Sequence, residues 1–304
     1  MSKLIVSTSP HIRSGVTTRG IMLDVIIALI PAMITSIVVF GWQAALMLAV
    51  CSAGCVVFEW GYEKLVKRPI SIGDLSAVVT GVLLALNLPA NLPIWQALLG
   101  CLIAIVVVKQ LFGGLGYNFA NPAITARIVL LICFSIPMTN WVIDGVSTAT
   151  PLGMMASGAE LPSMMEMLLG KHGGSMGETG TLALLAGGIY LMARRVISWH
   201  TPVCFVGTVF LFTLAVYGDA STALYHVLSG GLMIGAFFMA TDYVTTPYTS
   251  WGRVIFGIGC GLITVLIRVW GNYPEGVSFA ILFMNILTPY ITKVTSPKPL
   301  GGAK

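Results

Sequence analysis

Charge is what this sequence has least of. Only 9% of its 304 residues are Asp, Glu, Lys or Arg, against about 25% in an average soluble domain. A chain so poor in charge cannot cover a water-facing surface. With 57% hydrophobic residues, its main solvent is expected to be lipid. Also missing are a C-x-x-C pair, a histidine at zinc-ligand spacing from a cysteine, and the glycine-rich strand–turn–helix that cradles a dinucleotide. Their absence predicts no metal site and no dinucleotide-binding turn of that kind here. Cys51, Cys55, Cys101, Cys133, Cys204 and Cys260 all sit in apolar runs and read as small packing residues. Cys51 and Cys55, four apart, share a helix face. The net charge of +5 comes from basic residues at the ends of apolar runs rather than from a patch, so nucleic acid is not an expected partner. Residues 1–20 are polar and the first apolar run starts at Ile21, which argues against a cleaved signal peptide.

What the sequence does contain is a series of apolar runs. A helix needs roughly 20 apolar residues to cross the hydrocarbon core, with a working range near 17–25. Ten segments are candidates: 21–40, 44–60, 75–88, 95–111, 123–136, 180–193, 202–217, 222–240, 251–269 and 277–291. The expected fold is an all-α integral membrane protein of about ten transmembrane helices. Apart from Arg127, Lys171 and Arg268, every Lys and Arg falls on the side of the N-terminus, Lys109 among them. By the positive-inside rule that side is cytoplasmic, so both termini are expected inside a prokaryotic cell membrane and the loop 138–178 outside.

The run 100–109 matches 259–268, and 116–120 matches 276–280. Lys109 is assigned inside and Arg268 outside, so the repeats are expected to be inverted, as five spans per half require. The organisation is then a cytoplasmic segment 1–20, a first five-helix repeat 21–137, an outer loop 138–178, a second repeat 179–292 and a cytoplasmic tail 293–304. Such proteins place sites where helices break near the repeat interface. The two candidate breaks, 87–93 and 241–247, follow the third and eighth spans. Asp24, Arg127 and Arg268 are the ionisable groups nearest the bilayer interior, and so candidate ion-pathway charges.

In the outer loop, Ser163 and Glu166 form a capping box that opens a short helix stopped by Gly170, expected to lie on the outer membrane surface. Gly173 and Gly174 read as loosening the chain before the sixth span. The loop also carries Asp144-Gly-Val-Ser147-Thr148-Ala149-Thr150-Pro151. Thr150 suits a helix N-cap with Pro151 at the first helical position. Small residues around a hydroxyl also make it reachable by a modifying enzyme.

Several of these stretches together resemble one family. They are Ser9-Pro10-His11-Ile12-Arg13-Ser14, the run Gly113 through Asn118, Asn121 and Ala123, the stretch from Asp144 to Thr150, Phe238-Met239-Ala240-Thr241-Asp242, and Tyr273-Pro274-Glu275-Gly276. The chain resembles the D subunit of Rnf-type ion-translocating ferredoxin:NAD oxidoreductases from about residue 7 to residue 293. The B subunit of the sodium-pumping NADH:quinone reductase is related, but has a longer N-terminal region. The resemblance implies a urea-channel-like fold and FMN joined covalently, through its phosphate, to Thr150. Asp144, Ser147 and Ala149 complete the attachment motif, and Thr148 stands where glycine is commoner. It also implies a noncovalent, riboflavin-like flavin near Asn118, Asn121, Thr241 and Asp242. The implied partners are the other subunits of the complex, including a second covalent-flavin subunit, together with a flavin transferase and the lipid bilayer. Electrons would pass between the outer FMN and the inner flavin, coupled to Na⁺ or H⁺. The rival readings are a quinone-reductase B-type subunit and a solute channel or transporter.

Overall fold

A computed structural model of the chain describes residues 15–143, 146–170, 172–271 and 276–297. In lipid a spanning segment must satisfy its own backbone hydrogen bonds, and the apolar runs accordingly fold as helices. The first half contains α1 (Thr18–Phe40), α2 (Trp42–Val66), α3 (Ser76–Leu86), α4 (Ile94–Gln110) and α5 (Pro122–Cys133). A short α6 (Ser135–Thr139), a hairpin of β1 (Trp141–Ile143) and β2 (Val146–Thr148), α7 (Pro151–Ser157) and α8 (Met164–Leu169) make up the loop region. The second half contains α9 (Thr181–Ala193), α10 (His200–Tyr217), α11 (Ala220–Leu228), α12 (Leu232–Met239), α13 (Ser250–Trp270) and α14 (Val277–Thr295). Each of the ten apolar segments thus holds helix. By length and composition α1, α2, α10, α13 and α14 can each cross a membrane alone, α11 with α12 forms a bent sixth span, and α3, α4, α5 and α9 are shorter apolar helices. This is a multi-pass, all-α membrane protein.

The packing repeats between the halves. α2 packs on α3 and α4 as α10 packs on α11 and α13, and α4 meets α5 as α13 meets α14. The halves join where α1 crosses α9 and α5 crosses α14. The first crossing depends on Gly187, where a Cβ would overlap the Ala28 carbonyl oxygen of α1. Close backbone approach of this kind drives helix association in lipid, where no hydrophobic force does.

The structure departs from the sequence reading in three places. The eighth run is not one straight helix: α11 and α12 meet at 64°. The bend falls at Ser229-Gly230-Gly231, ahead of the expected 241–247 break, and both glycines take left-handed φ, 69° and 65°, which a side chain would disfavour. Second, Gly173 and Gly174 do not loosen the chain. The segment 172–180 dips into the core, where the Gly177 amide donates to Leu86 O (2.6 Å), the Met176 amide to Leu88 O (3.3 Å) and the Ser36 hydroxyl to Met176 O (2.6 Å). Gly173 is needed for close packing, since a Cβ there would meet the Thr148 hydroxyl. Glu178, expected in the outer loop, is 2% exposed within this segment. Third, Lys109, read as a charge at a span end, is buried against the core. It is 2% exposed near the end of α4 and pairs at 2.7 Å with Glu59 of α2, itself 0% exposed.

The capping box holds: Ser163 and Glu166 cap each other at the start of α8, and Gly170 closes it at φ 82°. Met165 and Leu169 stay exposed while Met167 is buried.

Candidate functional site

Two cavities bear on function. The first lies at the C-terminal end of α12. Asn118, Asn121, Thr241 and Asp242, far apart in sequence, all line it. Asn121 is held by its place at the start of α5. Its Oδ1 accepts from the amides of Ala123 (3.1 Å) and Ile124 (3.3 Å), and its Nδ2 donates to Met239 O at the end of α12 (3.3 Å). The Thr241 hydroxyl donates to Phe237 O (2.7 Å). Asp242 accepts from the Thr245 hydroxyl (3.1 Å) and faces the Asn118 amide. Burial raises the Asp242 carboxyl above its ordinary value, against the opposing pull of Thr245 and Asn118.

Lys109 and Ser76 line the same cavity and were not among the site residues read from the sequence. The Lys109 ammonium donates to the Ser76 hydroxyl (2.6 Å) while paired with Glu59. The stretches Ile103–Gln110 of α4 and Gly235–Met239 of α12 are both π-helical and both end at this cavity. Such widened turns are frequent at functional sites. Phe237, Phe238 and Leu191 supply apolar wall.

The second cavity lies beside the α11–α12 bend. Leu152 and Met155 of α7, Tyr217 at the end of α10, Thr222 and His226 of α11, and Arg268 of α13 line it. Arg268 donates to the carbonyls of His226, Ser229 (2.9 Å) and Gly230 (3.4 Å), a cation closing the C-terminal end of α11 where the helix dipole favours positive charge. His226 is 4% exposed and neither ring nitrogen has a hydrogen-bond partner.

Between the cavities lies a buried polar cluster. Glu178 accepts from the amides of Gly230 and Ser175, and Arg127 donates to Asn87 Oδ1 (3.1 Å) and the Ser278 hydroxyl (3.0 Å). Asn87 ends α3 and Gly230 lies at the α11–α12 bend, so the cluster gathers around these two places. Arg127 and Arg268 both belong to it or border it. Asp24 does not: it accepts from the Tyr190 hydroxyl (3.0 Å) and pairs with Arg194 (3.4 Å), tying α1 to α9.

Thr150 is the N-cap of α7, its Oγ1 accepting from the Gly153 amide at 3.1 Å, and is 5% exposed. Ser147 and Ala149 are exposed, and the Ser147 hydroxyl donates to Asn140 Oδ1. The Thr148 hydroxyl is buried without a partner. Asp144 lies outside the described residues, as do the stretches 9–14 and 273–275.

The profile of the NQR2, RnfD, RnfE family matches residues 5–301. The chain belongs to that family. Among its relatives, the D subunit of the Na⁺-translocating ferredoxin:NAD⁺ oxidoreductase complex of Acetobacterium woodii is 47% identical, the match covering 99% of this chain and 96% of that one. The D subunit of the proton-translocating ferredoxin:NAD⁺ oxidoreductase complex of Clostridium ljungdahlii is 40% identical, over 97% of this chain and 96% of that one. The D subunit of the ion-translocating oxidoreductase complex of Ectopseudomonas mendocina is 36% identical, over 98% and 96%. For a member of the NQR2, RnfD, RnfE family the two cavities suit flavins on chemical grounds. A flavin offers an apolar ring, a polar ring edge and a hydroxylated chain. The first cavity opposes aromatic wall to an amide, a carboxyl and an ammonium group, and the second opposes apolar wall to a guanidinium and two unpartnered imidazole nitrogens.

Proposed function

We propose that this chain is the D subunit of an ion-translocating ferredoxin:NAD oxidoreductase complex, carrying FMN esterified to Thr150 and a second, noncovalent flavin in the Asp242 cavity. The observation that carries the reading is the convergence of Asn118, Asn121, Thr241 and Asp242, from two separate stretches of chain, on one cavity beside a buried ammonium group. Flavins bound at the two sites supply electron transfer across the membrane, and the protein fixes their position and surroundings. Asn118 and Asp242 offer a hydrogen-bonding edge, where the Asn118 amide donates as well as accepts. Lys109, the second-last residue of α4, places positive charge next to that edge. Phe237 and Phe238 exclude water from the opposite wall.

The buried position of Thr150 bears on attachment. A transferase needs the hydroxyl in the open, so the ester forms before α7 docks or while its first turn is undocked. The exposed Ser147 and Ala149 leave the preceding strand accessible for that step. The partners of this chain in this reading are the other membrane and peripheral subunits, one of them a second covalent flavoprotein that exchanges electrons with the Thr150 site from outside.

The test is ultraviolet fluorescence of the denatured chain in a gel. The wild-type band fluoresces, and Thr150→Ala assembles yet does not, since Ala lacks the oxygen the ester requires. Losing the cap costs about 0.5–2 kcal/mol locally, too little to prevent folding. Thr148→Ala and Ser147→Ala keep the fluorescence. A band that fluoresces in all three variants overturns the assignment.

A further inference from the structure

The second cavity has a feature that packing does not explain. His226 is almost wholly buried, its ring is stacked on Tyr217 (centroids 5.3 Å apart, planes at 20°), and both its nitrogens lack partners while the residue lines an open cavity. An unpartnered buried polar group costs roughly 1–3 kcal/mol. Here two such atoms sit on one ring, held in place by stacking, which is the signature of a site awaiting a ligand with its own donors and acceptors.

The other walls say what that ligand is. Arg268 brings a guanidinium to the same cavity, anchored by the carbonyls at the end of α11. The apolar Leu152 and Met155 of α7 complete the wall. A planar, largely apolar ring with one polar, electron-accepting edge matches this division. The cavity also adjoins the attachment residue: Leu152 is two residues beyond Thr150, within about 7 Å along the chain, and its Cδ1 and the Arg268 guanidinium both meet the backbone at Gly230.

Resting on the assignment of FMN to Thr150, we infer that the ring system of that flavin docks in this cavity, with His226 and Arg268 binding its polar edge and Tyr217 holding the imidazole in place. The cavity is thus a dedicated ring pocket, and the α11–α12 bend has a function: it turns the Arg268-capped end of α11 towards the flavin. Arg268, a candidate ion-pathway charge by sequence, takes the role of a flavin-binding residue.

The experiment uses the purified complex and three chains: wild type, His226→Phe, which keeps the stacked ring and removes the nitrogens, and Thr222→Trp, which fills the cavity from its α11 wall. Each is also prepared with Thr150→Ala. The difference between the paired native fluorescence spectra isolates the Thr150 flavin from any other. Iodide quenching of that difference signal should be weak in wild type and severalfold stronger in both variants, with gel fluorescence of the denatured chain unchanged because attachment is intact. Equal quenching in all three, with gel fluorescence present, overturns the docking inference alone. A wild-type band without gel fluorescence overturns the attachment reading on which it rests.

Discussion

Breaking the Lys109–Glu59 pair should expose how the buried charge beside the Asp242 cavity is held. Lys109 and Glu59 are 2% and 0% exposed, so neither charge has water to fall back on. The load falls on one oxygen. Glu59 Oε1 accepts from Lys109 Nζ and from Gln110 Nε2, each at 2.7 Å, while Oε2 has no partner. Lys109→Met leaves that carboxylate buried with a single neutral donor, a loss expected to cost about 3–5 kcal/mol. Removing both charges, in Lys109→Met with Glu59→Leu, should recover most of that loss, because a buried pair replaced by well-packed apolar groups is often neutral or stabilising by about 1–4 kcal/mol. The assay is the thermal unfolding midpoint of the detergent-purified complex for the two single variants and the double. A double variant at or above wild type, with both singles well below, fits the reasoning. If the double is as unstable as the singles combined, the side chains act through independent packing, and the coupling expected of residues in contact is absent.

Two further outcomes follow from the same structure. Asp242→Ala and Asn121→Ala should each lower the noncovalent flavin extracted from the complex while gel fluorescence persists, since losing one buried hydrogen-bonding partner costs about 1–3 kcal/mol; Asp242→Asn, which keeps a donor and an acceptor, should retain more of it than Asp242→Ala. For orientation, Glu160→Cys, exposed beyond α7, should react with an impermeant thiol reagent from outside intact cells above the wild-type background, and Lys67→Cys, exposed at the end of α2, should not; the reverse pattern would place Thr150 on the wrong side of the membrane.

The helices were legible because apolar length is what lipid selects for. Arg127 was legible for the same reason, a charge in the midst of an apolar run. The capping box at Ser163 could be read because its two partners are three residues apart. What escaped was decided at long range. Lys109 sits at the end of an apolar run, where a basic residue reads as reaching for the interface. Its partner Glu59 lies on a different helix, and no periodicity links them. The bend at Ser229–Gly231 does not interrupt hydropathy, though two adjacent glycines after a serine were an available signal. Gly173 and Gly174 read as loosening because flexible and close-packed glycines look alike until the neighbour is known, here the Thr148 hydroxyl. His226 gave no signal at all, since its significance lies in the partners it lacks. The four residues of the first cavity came from the family resemblance, and only the fold brings them together.

The central claim is a chemical bond at one oxygen. It is tested most directly by mass spectrometry of the peptide spanning residues 146–157, isolated from the assembled complex by proteolysis. The account predicts that this peptide carries the mass of FMN less one water, and that fragmentation assigns the addition to Thr150. An unmodified peptide, or an addition at Ser147 or Thr148, would contradict it.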